Sequence, residues 1–400
     1  MEKRFIGVTR FSVVATKNSG FRISSANRES YLEELFSENR LRPRVAIFEH
    51  LSLPSLKNFA RKHDYTHVLQ VSPQLPQKWR DKLDQLAQDN PFLRIIEVGD
   101  ESMTDSVREV VRGWGRDFEG LFTWFRLDDD DFLSFDYLDE VEYLTTEHHI
   151  GCALSFGRVL SACHMEGAFT NVHKVLSPHI AIGQAFVCYS NNRKGVMVCH
   201  DQVPHHIVNQ YHPTIVNDLV PFGFWTRHPS QDSHAGPRKI GALLSNLQAD
   251  LAQHPFADNA EIADRFPQLW TAIHDQAAST PNDKLKKNVI LRNSEWINNP
   301  LSDWPEHGER IVKCKYKIDF TGKPHSGTTL QLSFTDREIV EGQFPRDEGR
   351  GDYRRLFVDS EGKGTIILPL VPANLRQIRL QPDNGTSQFS CAQVEFTPLD

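Results

Sequence analysis

The chain has no excess of positive charge. Its 45 Lys and Arg stand against 52 Asp and Glu, a formal net charge of −7 over 400 residues. Without a global basic field, indiscriminate binding to a phosphate backbone is disfavoured, and nucleic acid is not expected as a partner. Long apolar runs are missing as well. Nothing approaches the ~20 residues of a membrane span, and Met1-Glu-Lys-Arg-Phe-Ile-Gly-Val lacks the apolar stretch of a signal peptide. These absences point to a cytoplasmic protein with no membrane span, whose membrane contact would be peripheral. The six cysteines, Cys152, Cys163, Cys188, Cys199, Cys314 and Cys391, form no Cys-x-x-Cys pair. They read as reduced, mostly buried thiols and not as a disulfide framework. Solenoid repeats and low-complexity tracts are absent, and Asn384-Gly-Thr reads as an Asn-Gly turn.

What is present is an ordinary folding composition. Hydrophobic residues are 39% and charged residues 24%, enough apolar side chains for cores and too few charges for a disordered chain. At roughly 150 residues per domain the length predicts two or three domains. From residue 5 to residue 131 short apolar runs alternate with helical patterns, the signature of an α/β domain with helices on a mostly parallel sheet. Strands are expected at Phe5–Ala15, His67–Val71, Leu93–Val98 and Leu121–Leu127, and helices after Ser52, Pro76 and either Ser102 or Thr104, with Ser52 as a cap. From His148 to His234 the chain holds 11 of its 18 histidines, and amphipathic helices at Pro237–His254 and Asn259–Ser279 lead into a polar linker. From about residue 310 the period becomes two, in Val312–Phe320, Leu330–Phe334, Thr365–Leu370, Leu375–Leu380 and Phe389–Phe396, which predicts a C-terminal β-sandwich. The expected division is 1–235, a helical extension and linker at 236–299, and a sandwich at 300–400.

The strongest local signal is Phe125-Arg-Leu-Asp-Asp-Asp-Asp-Phe132. A run of carboxylates is usually a solvated loop. Here it follows the most apolar strand of the domain, and adjacent like charges repel by about 1 kcal/mol or more each at contact distance, so a positive group is expected among them. Open α/β sheets bind ligands beyond the carboxyl ends of their strands. Carboxylate oxygens there suit Mg²⁺ or Mn²⁺, ions that keep several waters and take further ligands from phosphates. If the strand continues through the run, Asp128 and Asp130 share one face while Asp129 and Asp131 share the other.

This arrangement resembles the Asp-x-Asp motif of glycosyltransferases with the nucleotide-diphospho-sugar (GT-A) fold. Arg10-Phe-Ser, Phe48-Glu, Leu53-Pro-Ser-Leu56, Gln74-Leu-Pro76 and Arg126-Leu-Asp-Asp-Asp-Asp131, in that order, are similar to the bacterial rhamnosyltransferase family over roughly residues 5–235. The resemblance implies a donor site in which Arg10, Asp128 and Asp129 meet the nucleotide, while Asp130, with Asp131 beside it, holds Mn²⁺ or Mg²⁺. It also implies an acidic base for the acceptor hydroxyl, which falls on Asp201 in Cys199-His-Asp-Gln-Val-Pro-His-His206. Intrinsic pKa favours His205 and His206 instead, so all three stand as candidates. In Phe224-Trp-Thr-Arg-His, Arg227 is placed to offset the departing diphosphate and His228 to complete the metal shell. Gly183, in Ser177-Pro-His-Ile-Ala-Ile-Gly, either lies close to a sugar or, on better odds, eases packing.

The expected activity is metal-dependent transfer of a sugar, with rhamnose implied by the family's name alone. The donor is a nucleotide-diphosphate sugar, the acceptor a glycan or lipid-linked saccharide, and the anomeric carbon is inverted. Two other readings compete. A metal-dependent hydrolase would draw on the histidines, although no His-Glu-x-x-His or His-x-His pair is present. A noncatalytic glycan-binding protein would carry its function on the sandwich, with Trp296 and Trp304 stacking on sugar rings.

Overall fold

The computed structural model describes residues 1–14, 28–99, 101–231, 239–274, 285–305, 308–321, 328–348, 350–382 and 389–399. The Asn384-Gly turn and the element ends expected at Ala15, Pro237 and Ser279 lie outside the described residues. No helix among the described residues is long and apolar enough to cross a membrane, and all six cysteines are free thiols.

Strands β1 (Glu2–Phe11), β2 (Tyr65–Val71), β3 (Leu93–Glu97) and β4 (Glu119–Asp128) are mutually parallel, as the alternating pattern predicts, and lie in the order β4-β1-β2-β3. On the far side of β4 the strand Ala185–Asn191 runs antiparallel, and Ala153–Ser155 and Thr214–Val216 extend the sheet. β4 sits in the middle, so successive residues Phe122, Trp124, Phe125 and Leu127 are buried on both of its faces. A side chain at Gly7 on β1 would collide with the ring of His67 on β2. The glycine thereby admits a fully buried histidine whose Nδ1 and Nε2 lie 2.6 and 3.1 Å from the hydroxyls of Tyr65 and Thr9.

Helices α1 (Arg28–Leu35), α2 (Glu38–Ile47), α3 (Leu53–Lys62), α4 (Gln77–Gln88) and α5 (Met103–Gly113) connect these strands. α5 opens on a capping box, with Ser102 as the cap and Asp105 returning the bond. α2 passes through a π turn at Phe48–Ser52 into α3, so Ser52 has helical dihedrals and caps nothing, contrary to expectation. The helix expected at Asn259–Ser279 is broken into Asn259–Arg265 and Pro267–His274. The cause is local: Pro267 excludes the helical conformation from Phe266, which sits at φ −128°, ψ 59°.

The chain divides into two compact units, one of residues 1–160, 174–226 and 258–270, the other of 161–173, 227–257 and 271–400. This differs from the three consecutive segments read from composition, because packing recruits segments out of sequence order. In the first unit Phe266 packs edge-on to Phe132, and Arg265 pairs with Asp136 at 2.8 Å. In the second, the helix Ile240–Leu251 is tied to sandwich strands, Gly241 N donating to Gln343 Oε1 at 2.8 Å and Gln248 Nε2 to the Ile367 carbonyl at 3.4 Å.

The C-terminal strands form two antiparallel sheets. One is ordered 287–292, 389–398, 310–320, 363–370, the other 297–298, 375–382, 328–334, 351–356, 346–347. Val312, Cys314, Tyr316 and Ile318 from one sheet and Leu330, Leu332, Ile378 and Leu380 from the other share a single core, as a sandwich requires. The sandwich begins at Lys287, inside the polar stretch expected to be a linker. Trp304 is 4% exposed within this core and is unavailable for stacking on a sugar, whereas Trp296 is 39% exposed.

Candidate active site at the carboxyl ends of β1 and β4

β4 ends at Asp128, and the chain turns at once, with Asp131 N donating to the Asp128 carbonyl at 3.2 Å. The alternation of faces expected across the four aspartates therefore breaks. Asp129 and Asp130 instead converge on Arg44, whose Nη1 donates to Asp129 Oδ1 and whose Nη2 lies 3.1 Å from Asp130 Oδ2. The Asp129 carboxylate also accepts from Ser12 N at 3.2 Å and Ser12 Oγ at 3.4 Å, and Arg40 Nη1 donates to that hydroxyl at 2.9 Å. Ser12 holds a left-handed backbone, φ 49°, a conformation costly for a residue with a side chain and often found where function over-determines geometry. The positive group that the aspartate run demands is thus supplied in part by an arginine on α2.

The π turn and α3 fix the chain beyond the turn. Ser52 Oγ donates to the Asp131 carbonyl at 2.8 Å, Ser55 Oγ to that of Leu133 at 2.6 Å and Asn58 Nδ2 to that of Phe135 at 2.7 Å. Side chains three apart on one helical face thereby hold alternate carbonyls of the neighbouring segment. Asp131 is buried, and its Oδ1 accepts from Thr226 N at 2.9 Å. Burial, followed by the charges of Asp130 and Asp128, holds its carboxyl well above the ordinary carboxylate range, although Arg44 and the Thr226 bond pull the other way.

Asp128 is the most accessible of the four, with a side chain 40% exposed that accepts from Arg126 Nη2 at 2.7 Å. Its Cα partner across the sheet is Arg10. Burial lowers the Arg10 pKa, and the Arg126 charge lowers it further, while Asp128 favours the charged form. His205 belongs to the same group: burial, followed by the Arg126 charge, holds it below its usual 6.5, and Asp128 opposes the shift. Its Nδ1 lies 2.7 Å from the His179 carbonyl. A carbonyl only accepts, so the neutral ring carries its hydrogen on Nδ1 and has its Nε2 lone pair available. His179 itself adopts φ 58°, a second left-handed residue at this end of the sheet. Arg10, Arg126, Asp128 and His205 therefore form one electrostatic group.

The remaining candidates have other partners. Asp201 has a side chain 72% exposed and pairs with Arg108 of α5 at 2.9 Å. His206 is exposed, its ring centroid 5.5 Å from that of His205. Arg227 and His228 fall in the second unit, where Arg227 Nη2 lies 3.3 Å from Asp250 Oδ2 and His228 Nδ1 lies 2.8 Å from Ser230 Oγ. Gly183, at φ 67°, leaves no room for a side chain beside Tyr137, whose hydroxyl donates to the Gly183 carbonyl at 2.7 Å, so its role is packing. Among the described residues no three His, Cys, Asp or Glu side chains are grouped to hold a metal ion. Sequence reasoning missed Arg44, Ser12 and Ser52 as site-forming groups. A signal was present in Arg40 and Arg44, two arginines four positions apart and so on one face of α2, and both are buried.

A family model described as "Putative rhamnosyl transferase" matches residues 4–239 of the chain. No curated protein matches it. Among solved structures, a nucleoside-diphosphate-sugar pyrophosphorylase from Vibrio cholerae RC9 is 13% identical over 56% of this chain and 92% of that one, with a TM-score of 0.26. TarS 1-349 from S. aureus, in a structure with UDP, is 10% identical over 65% of this chain and 68% of that one, with a TM-score of 0.25. The family match spans β1, the helices that hold the aspartate turn, β4 and His205. The chain belongs to the rhamnosyl transferase family that this model describes, and is a glycosyltransferase.

Proposed function

We propose that the carboxyl ends of β1 and β4 bind a nucleotide-diphosphate sugar and that His205 removes the proton from an acceptor hydroxyl as the sugar is transferred. The observation that carries this reading is the grouping of Arg10, Arg126, Asp128 and His205 at the end of the sheet where open α/β folds place their ligands. Arg10 and Arg126 supply cationic forks suited to phosphate oxygens, and Asp128 an acceptor for nucleoside hydroxyls. His205 has the attributes of a base, namely a free Nε2, a fixed ring and a pKa below neutrality. Asp201 is instead solvated and paired with Arg108. The transferred sugar is rhamnose, a reading supported by the family's description. A single base opposite the departing diphosphate fits transfer with inversion to a glycan or lipid-linked saccharide.

The aspartate turn fits a divalent cation by its chemistry. Mg²⁺ and Mn²⁺ need only one or two protein carboxylates when phosphates and waters complete the shell. Burial first, and then the charges of Asp130 and Asp128, raise the proton affinity of Asp131, and a cation would offset the part that the neighbouring carboxylates contribute. Asp130, with Asp128 or Asp131, would hold such an ion, which would offset charge on the leaving diphosphate. The test is a thermal-shift panel with thymidine, uridine and guanosine diphosphates, each with and without Mn²⁺. A ligand at a hundred times its Kd adds about 2.7 kcal/mol of apparent stability, so the preferred nucleotide stands out. Asp130→Asn and Asp128→Asn should abolish the Mn²⁺-dependent part of the shift while the fold survives. Full nucleotide shifts and turnover in both variants would mean that the donor site lies elsewhere.

A further inference from the structure

The sandwich carries a cleft of about 380 Å³ that takes no part in the donor chemistry, lined by Trp296, Phe334, Arg337, Arg350, Asp352 and Arg379 among others. Trp296 stands on the loop between the strands Lys287–Arg292 and Ile297–Asn298 and is among the more exposed large apolar side chains. The Arg379 guanidinium lies over its ring, 4.5 Å from the centroid, and is held there by Nε donating to Oε1 of the buried Gln331 at 2.6 Å. Among the described residues the terminal nitrogens of Arg379 meet no acceptor and no carboxylate pairs with it. Arg337 is matched by Asp352, its Nε and Nη2 lying 3.3 and 3.4 Å from the two carboxylate oxygens. Arg350 lies 3.6 Å from Asp347 and over the ring of Tyr353. Gly351 opens the wall, since a side chain there would meet nothing within 4 Å.

A partly exposed indole and a guanidinium held against it with donors to spare make up a recognition surface of defined chemistry. An indole face packs against the C–H face of a pyranose, and an arginine fork with free donors binds a carboxylate or phosphate bidentately. We propose that this cleft binds an anionic saccharide, with a sugar ring on Trp296 and its acidic group on Arg379, and so selects an acidic glycan as the acceptor. The assignment as acceptor rests on the transferase reading above; the binding itself does not.

The test is calorimetric titration of the full chain at low ionic strength with a tetragalacturonate, a phosphorylated mannose oligosaccharide and neutral maltotetraose. Either acidic probe should bind, with the carboxylate and phosphate arms naming the source of charge, and maltotetraose should bind at least about tenfold more weakly. Trp296→Ala and Arg379→Met should each weaken acidic binding about tenfold or more, while Trp296→Phe, which keeps an aromatic face, retains most of it and controls for folding. Asp130→Asn should bind the acidic probes as the parent does. Equal affinity for acidic and neutral probes, no binding of either acidic probe, or unchanged affinity in both the Trp296→Ala and Arg379→Met variants overturns the proposal. Loss of thymidine diphosphate binding in Trp296→Ala also overturns it, by making the cleft a nucleotide site. Acidic-glycan binding with no nucleotide binding or transfer would refute the donor-site reading and leave this one standing.

Discussion

Replacing Arg44 by Met removes a guanidinium that serves two buried carboxylates. The side chains of Arg44, Asp129 and Asp130 are 4%, 5% and 10% exposed, so the solvent screening that reduces surface pairs to near nothing does not operate here. Deleting one partner of such a buried pair typically costs about 3–5 kcal/mol, because the charge left behind is uncompensated. A loss of that size is a large part of an ordinary net stability of about 5–15 kcal/mol. At about 2–4 °C per kcal/mol for a domain of this size, the melting transition of the first unit should fall by about 6–20 °C in differential scanning calorimetry. Arg44→Lys keeps a charge and loses the fork, and should fall between the two. The decisive comparison is Arg44→Met combined with Asp129→Asn. Removing the Asp129 charge as well should restore part of the loss, giving a coupling of about 1 kcal/mol or more in a double-mutant cycle. A loss below about 1 kcal/mol for Arg44→Met, or strict additivity with Asp129→Asn, would refute the assignment of Arg44 as the counter-charge of the aspartate turn.

Two further expectations bear on catalysis and stability. His205→Gln should leave nucleotide binding intact and lower turnover by about 10²–10⁴-fold, while Asp201→Asn stays near the parent rate; the reverse outcome moves the base to Asp201. A base acts when deprotonated and His205 sits below its usual 6.5, so turnover should rise with pH through a midpoint below 6.5 and then level off, and this limb should vanish in His205→Gln. His67, fully buried, has its pKa pushed down to about 3, against 6.5 in the open chain. The unfolded state therefore takes up this proton first, and stability falls as pH drops from about 6.5 towards 3. His67→Gln should lose that part of the acid limb in urea titrations, and an unchanged limb would show that other groups set it.

Periodicities are local, and the elements that depend on them were legible. The apolar runs of β1 to β4, the Ser102 cap and the period-two strands from Val312 onward are each written in a few neighbouring residues, because burying one face of a strand or helix demands its own repeat. The need for a counter-charge at the aspartate run was likewise legible, since four adjacent carboxylates after a buried strand are unfavourable without one. The sequence by itself therefore determined the α/β class, the sandwich and the demand for a counter-charge at the end of β4. Only the tertiary structure decided what meets there. Arg44 reaches Asp129 across 85 residues of chain and His205 joins Arg126 and Asp128 from a distant loop, while Asp201, four positions before His205, is drawn away by Arg108. The same holds for the two units, in which the helices from Ile240 to His274 part company according to which core buries them. Pairings of this kind depend on where separate segments are brought together by burial of apolar surface, a global property that no short window of residues contains.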